Sequence, residues 1–359
     1  MADDSTKKVV LAIETSCDET AVAFLSYENN AYSSLGQRLY SQIDVHKEFG
    51  GVFPMMAKRE HGKNLLKLLE LLYLDTHIES EHVTISGHAK QDALATLVRE
   101  SELHTFFETA LTDSTSILYK KPNIDAIAVT VGPGLEPALW VGISFAKALA
   151  LIWNIPIIPV NHMEGHIASV LTDIAHTENK TSLFPALALL ISGGHTEVIQ
   201  IKNWGQYQII GGTKDDAVGE AYDKVARILG LPYPGGPEIS KLAQQVRDTY
   251  SINDAETLCK KENIKLPRPM LHSQNIDFSF SGLKTAVLYL VRDLKKISNT
   301  ETLTDTQISL ICFEFEQAVI EVLCKKLTTA LEQNQDTQTL IVGGGVIANT
   351  YIRKHIDTW

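Results

Sequence analysis

The chain has 359 residues, with 32 Lys and Arg against 43 Asp and Glu, and a formal net charge of −11 at pH 7. Its 44% hydrophobic and 21% charged residues are those of a folded protein of about two domains, which excludes global disorder, a collagen repeat and a coiled-coil rod. The acidic balance confines any nucleic-acid contact to a local Lys/Arg surface or to partners.

The amino terminus, MADDSTKK, runs into the apolar segment Val9 to Ile13 without the h-region and cleavage site of a secretory signal, so a cytoplasmic protein is expected. Val9 to Glu14 reads as a strand, TSCDET (15–20) as a polar turn, and Ala21 to Phe24 as a second strand. HKEFGGVFPMMAKREH (46–61) follows, with a proline-started helix and the cluster Lys58, Arg59 and His61, readable as a solvated face or an RNA contact. Residues 73–109 are polar and His-dotted and are expected to be a surface insertion.

IDAIAVTVGPG (124–134), SFAKALALIW (144–153) and IPIIPV (155–160) alternate strand, helix and strand, the pattern of an α/β fold. The longest apolar stretch, Ala146 to Val160, is broken by Lys147, Asn154 and two prolines, short of the ~20 residues of a membrane span. HMEGH then places His162 and His166 four apart after a strand, either converging on a metal or acting as capping and surface histidines.

From Ala186 the opening pattern returns: ALALLI, the turn SGGHT (192–196), EVIQIK, and a third strand at Tyr207 to Ile210. This predicts an internal duplication. Ser192, Gly193 and Gly194 leave backbone N–H groups open to phosphate oxygens, and LIVGGGVIAN repeats the device with Gly343, Gly344 and Gly345 before Asn349 enters a helix. Neither is a Walker A loop. The helix GEAYDKVARILG (219–230) carries Glu220 and Asp223 about one turn apart, either a solvated acidic face or a partner for ribose hydroxyls. Asp248 to Lys265 is charged and expected to be peripheral. Cys17, Cys259, Cys312 and Cys324 are scattered, with no CxxC pair, as reduced packing residues would be.

Together LAIETSCDET, HKEFGGVFPMMAKREH, GPGLEPALWVGISFAKALA, NHMEGH, LLISGGHTEV, DDAVGEAYDKVARILGLPYPGGP, FSFSGLKTAV and GGGVIAN resemble the tRNA N6-adenosine threonylcarbamoyltransferase family, formerly called O-sialoglycoprotein endopeptidases. The resemblance spans nearly the whole chain, and the GGV and YPGGP forms look bacterial. It implies two ribonuclease-H-like halves of actin/sugar-kinase/Hsp70-like architecture around a nucleotide cleft, residues 1–178 and 179–359. It implies transfer of threonylcarbamoyl from threonylcarbamoyl-AMP to N6 of the adenosine 3′ of the anticodon, in tRNAs reading codons that start with adenine. His162 and His166 would hold one divalent metal, iron(II) before zinc(II). Leu190, Ile191, Ser192, Gly193, Gly194, Asp223, Gly236 and Asn349 would bind the adenylate. Asp18 and Glu19 are the expected catalytic carboxylates, and Lys58, Arg59 and His61 the expected tRNA contacts. Ser279 and Ser281 of FSFSGLKT belong to a structural or substrate-lining loop.

The implied partners are a smaller inactive paralogue of the same fold and a P-loop ATPase, with no membrane involved. Two departures stand out. Residues 73–109 hold an insertion of about 35 residues, and the strand and helix bearing the family's Asp-Asn-Ala motif, whose Asp is its third metal ligand, are not reached before Trp359. A fragment is the simpler reading. A small-molecule kinase on the same architecture and a nucleotide-binding scaffold without catalysis are the competing readings.

Overall fold

The computed structural model describes residues 7–29, 31–175 and 183–358. It divides into two compact units, Met1–Gly165 and His166–Trp359. The division expected between residues 178 and 179 lies outside the described residues.

The first unit contains β1 (Lys8–Glu14), β2 (Glu19–Glu28), β3 (Ala31–Ser41), α1 (Ile43–His46), α2 (Pro54–Thr76), β4 (Ser80–His82), α3 (Gly87–Leu97), α4 (Ser101–Thr112), β5 (Lys120–Pro122), β6 (Ala126–Gly132), α5 (Glu136–Trp153), β7 (Ile157–Asn161) and the first turn of α6 (His162–Ala175). Its main sheet has the order β3-β2-β1-β6-β7, an antiparallel meander joined to a parallel half. Alternation sets the face: Leu11, Ile13, Val22, Phe24, Ile127 and Val129 are all at most 2% exposed and share one core with Leu65, Leu69 and Leu72 of α2 and Phe145 and Leu149 of α5. Each such side chain contributes roughly 1.5–3 kcal/mol. Both helices start on a proline in the first turn and stop where His77 and Asn154 adopt left-handed conformations. By length and composition α5 could cross a bilayer, but 61% of it is buried within the protein, as in a core helix.

The segment 73–109 is more than a surface insertion. Ala93 and Leu97 of α3 and Leu103 and Phe107 of α4 are fully buried in the same core, and Phe107 meets Phe145 edge-on at 6.3 Å. The polar residues that masked this pattern occupy the other helix faces.

The second unit contains the rest of α6, then β8 (Ala186–Ile191), β9 (Thr196–Asn203), β10 (Gln206–Gly212), α7 (Val218–Ile228), α8 (Gly235–Thr249), α9 (Ile252–Lys261), α10 (Ser281–Ser298), α11 (Asp305–Gln333), β11 (Thr339–Gly343) and α12 (Thr350–Thr358). The sheet order β10-β9-β8-β11, with β8 antiparallel to β9 and parallel to β11, repeats the first four positions of the other sheet. The duplication read from the two strand-turn-strand copies is therefore carried by matching topology. All six residues of β8 are buried, the continuous apolar run of a strand covered on both faces. The expected peripheral segment 248–265 forms α9, whose Ala255 and Cys259 enter the core with Ile264 and Leu266.

Candidate functional site

In the first unit the parallel strands β1, β6 and β7 run the same way, so their carboxyl ends gather polar side chains at one end of the sheet. Glu14, last in β1, accepts hydrogen bonds from Thr130 Oγ1 of β6 at 2.6 Å and from the Ser16 amide at 2.5 Å. Its Oε2 lies 3.3 Å from His162 Nδ1, which is also 3.2 Å from Ser16 Oγ. Burial opposes charge on Glu14, but the bonds from His162, Ser16 and Thr130 outweigh it and bring the carboxyl down to about 2. Asn161 caps α6 by accepting from the amides of Met163 and Glu164, which fixes the turn on which His162 and His166 sit four apart and hence on one helix face. With Nδ1 held against a carboxylate, the His162 ring presents Nε2 on its far edge, the arrangement metal-binding histidines use. Imidazole is a donor that suits iron and zinc, and among the described residues no three His, Cys, Asp or Glu side chains converge to hold an ion.

The TSCDET turn follows Glu14 and is held from below. Thr15 Oγ1 donates to Ala138 O at 3.0 Å, and the Leu135 amide donates to Ser16 O at 2.7 Å. A Cβ on Gly134 would stand 2.6 Å from Ser16 O, so only glycine permits this approach of the GPG turn. Asp18 and Glu19 sit at the turn's outer side, where burial and the like charges of Asp18 and Glu14 push the Glu19 carboxyl up. Cys17 is exposed here, contrary to its expected packing role, while Cys259 and Cys312 are buried.

Beneath the turn lies a polar network of fully buried side chains, Thr20, Gln42, His46 and His61. A carbonyl only accepts, so His61 Nε2–H donates to Cys17 O at 2.9 Å, and Nδ1 accepts from Thr20 Oγ1 at 2.7 Å. Likewise His46 Nε2–H donates to Gln42 Oε1 at 3.2 Å, and Nδ1 accepts from the Phe53 amide at 3.4 Å. Burial lowers the pKa of both rings, outweighing Glu14 and Asp18, which favour protonation of His61, and Asp18 and Glu60, which favour that of His46.

A folded-state pKa below the unfolded value means the unfolded chain binds more protons, so this network's stability is present above about pH 6.5 and is lost as pH falls. Urea unfolding should show the midpoint dropping from pH 7.5 to 5.5. His61→Asn should be less stable at pH 7.5 and show a smaller drop; an unchanged drop would remove His61 from this role.

In the second unit two glycine turns and the amino terminus of α7 meet at the carboxyl ends of β8 and β11. The SGGH turn closes on itself through Ser192 N to His195 O at 2.8 Å and His195 N to Ser192 Oγ at 3.0 Å, leaving Gly193 and Gly194 exposed. Gly219, in the first turn of α7, donates to Ser192 O, and a Cβ there would stand 2.7 Å from Gly193 Cα. Gly344, at φ +94, lies so close that a Cβ would stand 2.4 Å from Ile191 O. A helix amino terminus, exposed glycines and two strand ends together offer backbone N–H groups to an anion. Asp223 Oδ1 accepts from the Gly235 amide at 2.7 Å and ties α7 to α8, whose Gly236 has open space where a Cβ would be.

The chain matches the family described as tRNA N6-adenosine threonylcarbamoyltransferase over residues 33–85 and 102–359. It is 41% identical over 349 residues to the enzyme of that name from Chromobacterium violaceum, covering 97% of this chain and 83% of the relative. The chain belongs to this family. The Nitrosomonas europaea member is 40% identical over 351 residues, covering 97% and 82%. Among solved structures, YeaZ from Pseudomonas aeruginosa gives a TM-score of 0.29 at 13% identity over 56% of this chain and 63% of that one. The Aquifex aeolicus Ppx/GppA family member gives 0.32 at 10% identity over 98% and 99%, a likeness too slight to carry an argument. The fold is α/β, and residues 86–101 fall between the two matched segments.

The expected family residues separate into several groups. Leu190 and Ile191 have fully buried side chains, so only their backbone reaches the glycine turn. Asn349 Oδ1 is taken by the amides of Tyr351 and Ile352, capping α12, and its Nδ2 donates to Glu316 at 2.6 Å. His61, expected among the tRNA contacts, is 0% exposed and donates to the backbone of the turn at Cys17 O. Lys58 pairs with Glu100 at 2.9 Å and donates to Arg99 O, and Arg59 pairs with Glu102 at 2.9 Å, so both cations face carboxylates at or beside the unmatched segment. Ser279 and Ser281 both donate to Asp215 at 2.6 Å, which clasps that loop to the turn before α7. Glu220 pairs with Lys224 instead of acting with Asp223. Sequence reading missed Glu14, whose only signal was a carboxylate ending an apolar strand. It also missed Glu316, a buried anion in an otherwise ordinary helix.

Proposed function

We propose that this chain transfers the threonylcarbamoyl group of threonylcarbamoyl-AMP to N6 of the adenosine 3′ of the anticodon in tRNAs that read codons starting with adenine. Family membership across nearly the whole chain carries the reading. The cluster of glycine turns supports it, because an acyl-adenylate presents one phosphate to be held by backbone N–H groups.

In this scheme the SGG turn and the amino terminus of α7 hold the adenylate phosphate, and Asp223 with Gly236 border the nucleoside. N6 attacks the carbamoyl carbon, the bond from that carbon to the phosphate oxygen breaks, AMP leaves with the electron pair, and the N6 proton passes to a base. We assign that base to Glu19, whose carboxyl is pushed up by burial and neighbouring like charge, and the orienting role to Asp18. His162 and His166 would hold iron(II), or zinc(II), and the ion when bound would supply a positive charge for oxygens that gain electron density. Glu14 orients His162 for that task. An exocyclic amine is a weak nucleophile, so alignment supplies much of the rate. A smaller inactive paralogue and a P-loop ATPase serve as partners, and the reaction takes place in the cytoplasm with its tRNA.

Mass spectrometry of nucleosides from tRNA incubated with the purified chain, these partners, a source of threonylcarbamoyl-AMP and iron(II) is expected to show N6-threonylcarbamoyladenosine. Its absence, with a known family member active in the same mixture, would overturn the reading.

A further inference from the structure

We propose that Phe49 and Phe53 form a stacking platform for an unpaired nucleobase of the RNA substrate, an inference that rests on the tRNA reading above. The rings lie 5.6 Å apart with planes at 20°, and they are 48% and 49% exposed, with Met55 beside them in sequence 52% exposed. An exposed, near-parallel aromatic pair presents flat π-faces to solvent, the surface on which single-stranded bases stack.

The pair is held in place. Gly50 takes the left-handed conformation that ends the turn after Phe49, the Phe53 amide is bonded to buried His46, and Pro54 starts α2. Through Gln42, the same buried network reaches His61 and the TSCDET turn that carries Asp18 and Glu19. A base docked on the rings is thus registered against the carboxylates proposed to act on the neighbouring adenosine.

Local charge favours base stacking over phosphate binding here. Lys47 is paired with Asp44, Lys58 with Glu100 and Arg59 with Glu102, so the cations of this segment are already matched by carboxylates. A contact made through π-faces needs no phosphate partner.

The test measures the KM for tRNA and kcat of the complete transfer reaction for Phe49→Leu, Phe53→Leu, Phe49→Trp and Phe53→Trp. Leucine keeps apolar bulk and removes the π-face. The Leu variants should raise KM at least about fivefold with kcat at saturating tRNA unchanged, and the Trp variants should stay near wild type. Thermal midpoints equal to wild type establish that all four fold. An unchanged KM in the Leu variants, or equal damage from Leu and Trp, overturns the platform. So does a defect that disappears on raising the concentration of a protein partner, which would make the rings a protein-docking face. Wild type that modifies tRNA alongside unaffected Leu variants removes this inference alone, whereas inactive wild type removes the function on which it rests.

Discussion

Replacing His162 or His166 by alanine is expected to reduce threonylcarbamoyl transfer by about a hundredfold or more, because an ion at a site of developing charge is worth several kcal/mol. The loss should come with a fall in bound iron or zinc measured by elemental analysis, and with little change in stability. The imidazole of His162 is partly exposed, and Glu14 retains Thr130 and the Ser16 amide after its removal. Glu14→Gln provides the graded companion. It leaves the ring in place but weakens the carboxylate that orients it, so metal affinity should fall by about 10- to 100-fold. Full metal content and unchanged transfer in both histidine variants would end the metal assignment.

Glu316→Ala is expected to cost about 3–5 kcal/mol, seen in urea unfolding and as a thermal midpoint lower by about 10 °C. Glu316 is fully buried in α11 and accepts from Arg247 at 2.6 Å and from Asn349 at 2.6 Å, with the Tyr222 hydroxyl at 3.5 Å. Arg247 is itself nearly buried and stacks on the Tyr351 ring at 3.5 Å. Removing the carboxylate takes away the counter-charge of that guanidinium, whose Nε also donates to Gln244 Oε1 at 3.2 Å, and this is the costly half of breaking a buried pair. Removing both charges, with Arg247→Met and Glu316→Leu, should restore most of the stability. Because Asn349 caps α12 beside the GGG turn, adenylate affinity should fall in Glu316→Ala and recover less than stability does in the double variant. A Glu316→Ala midpoint within a degree of wild type would refute the network's role.

Much of the fold was legible because it is written in local pattern. Val9 to Glu14 and ALALLI are short apolar runs bounded by turn residues, and each forms a strand in its sheet. The helix read at 144–153 begins earlier, at Glu136, because Pro137 fits the first turn and the tight GPG approach lets it start at once. β3 was not read at all: its residues, AYSSLGQRLYS, are mostly exposed, so no buried face imposed alternation on them. The segment 73–109 was read as surface for the opposite reason, since its few core positions are outnumbered by polar ones.

By itself the sequence determined the α/β class, the duplicated strand-turn-strand plan, the glycine turns and the spacing of His162 and His166, since backbone permissiveness and helical or strand period depend only on neighbours a few residues away. Only the tertiary structure decided which polar residues come together. Glu14 reaches His162 across 148 positions, His61 reaches Cys17 across 44, and Glu316 joins Arg247 and Asn349 from a different helix. Burial and long-range pairing set the availability of these groups, and neither is a property of local sequence.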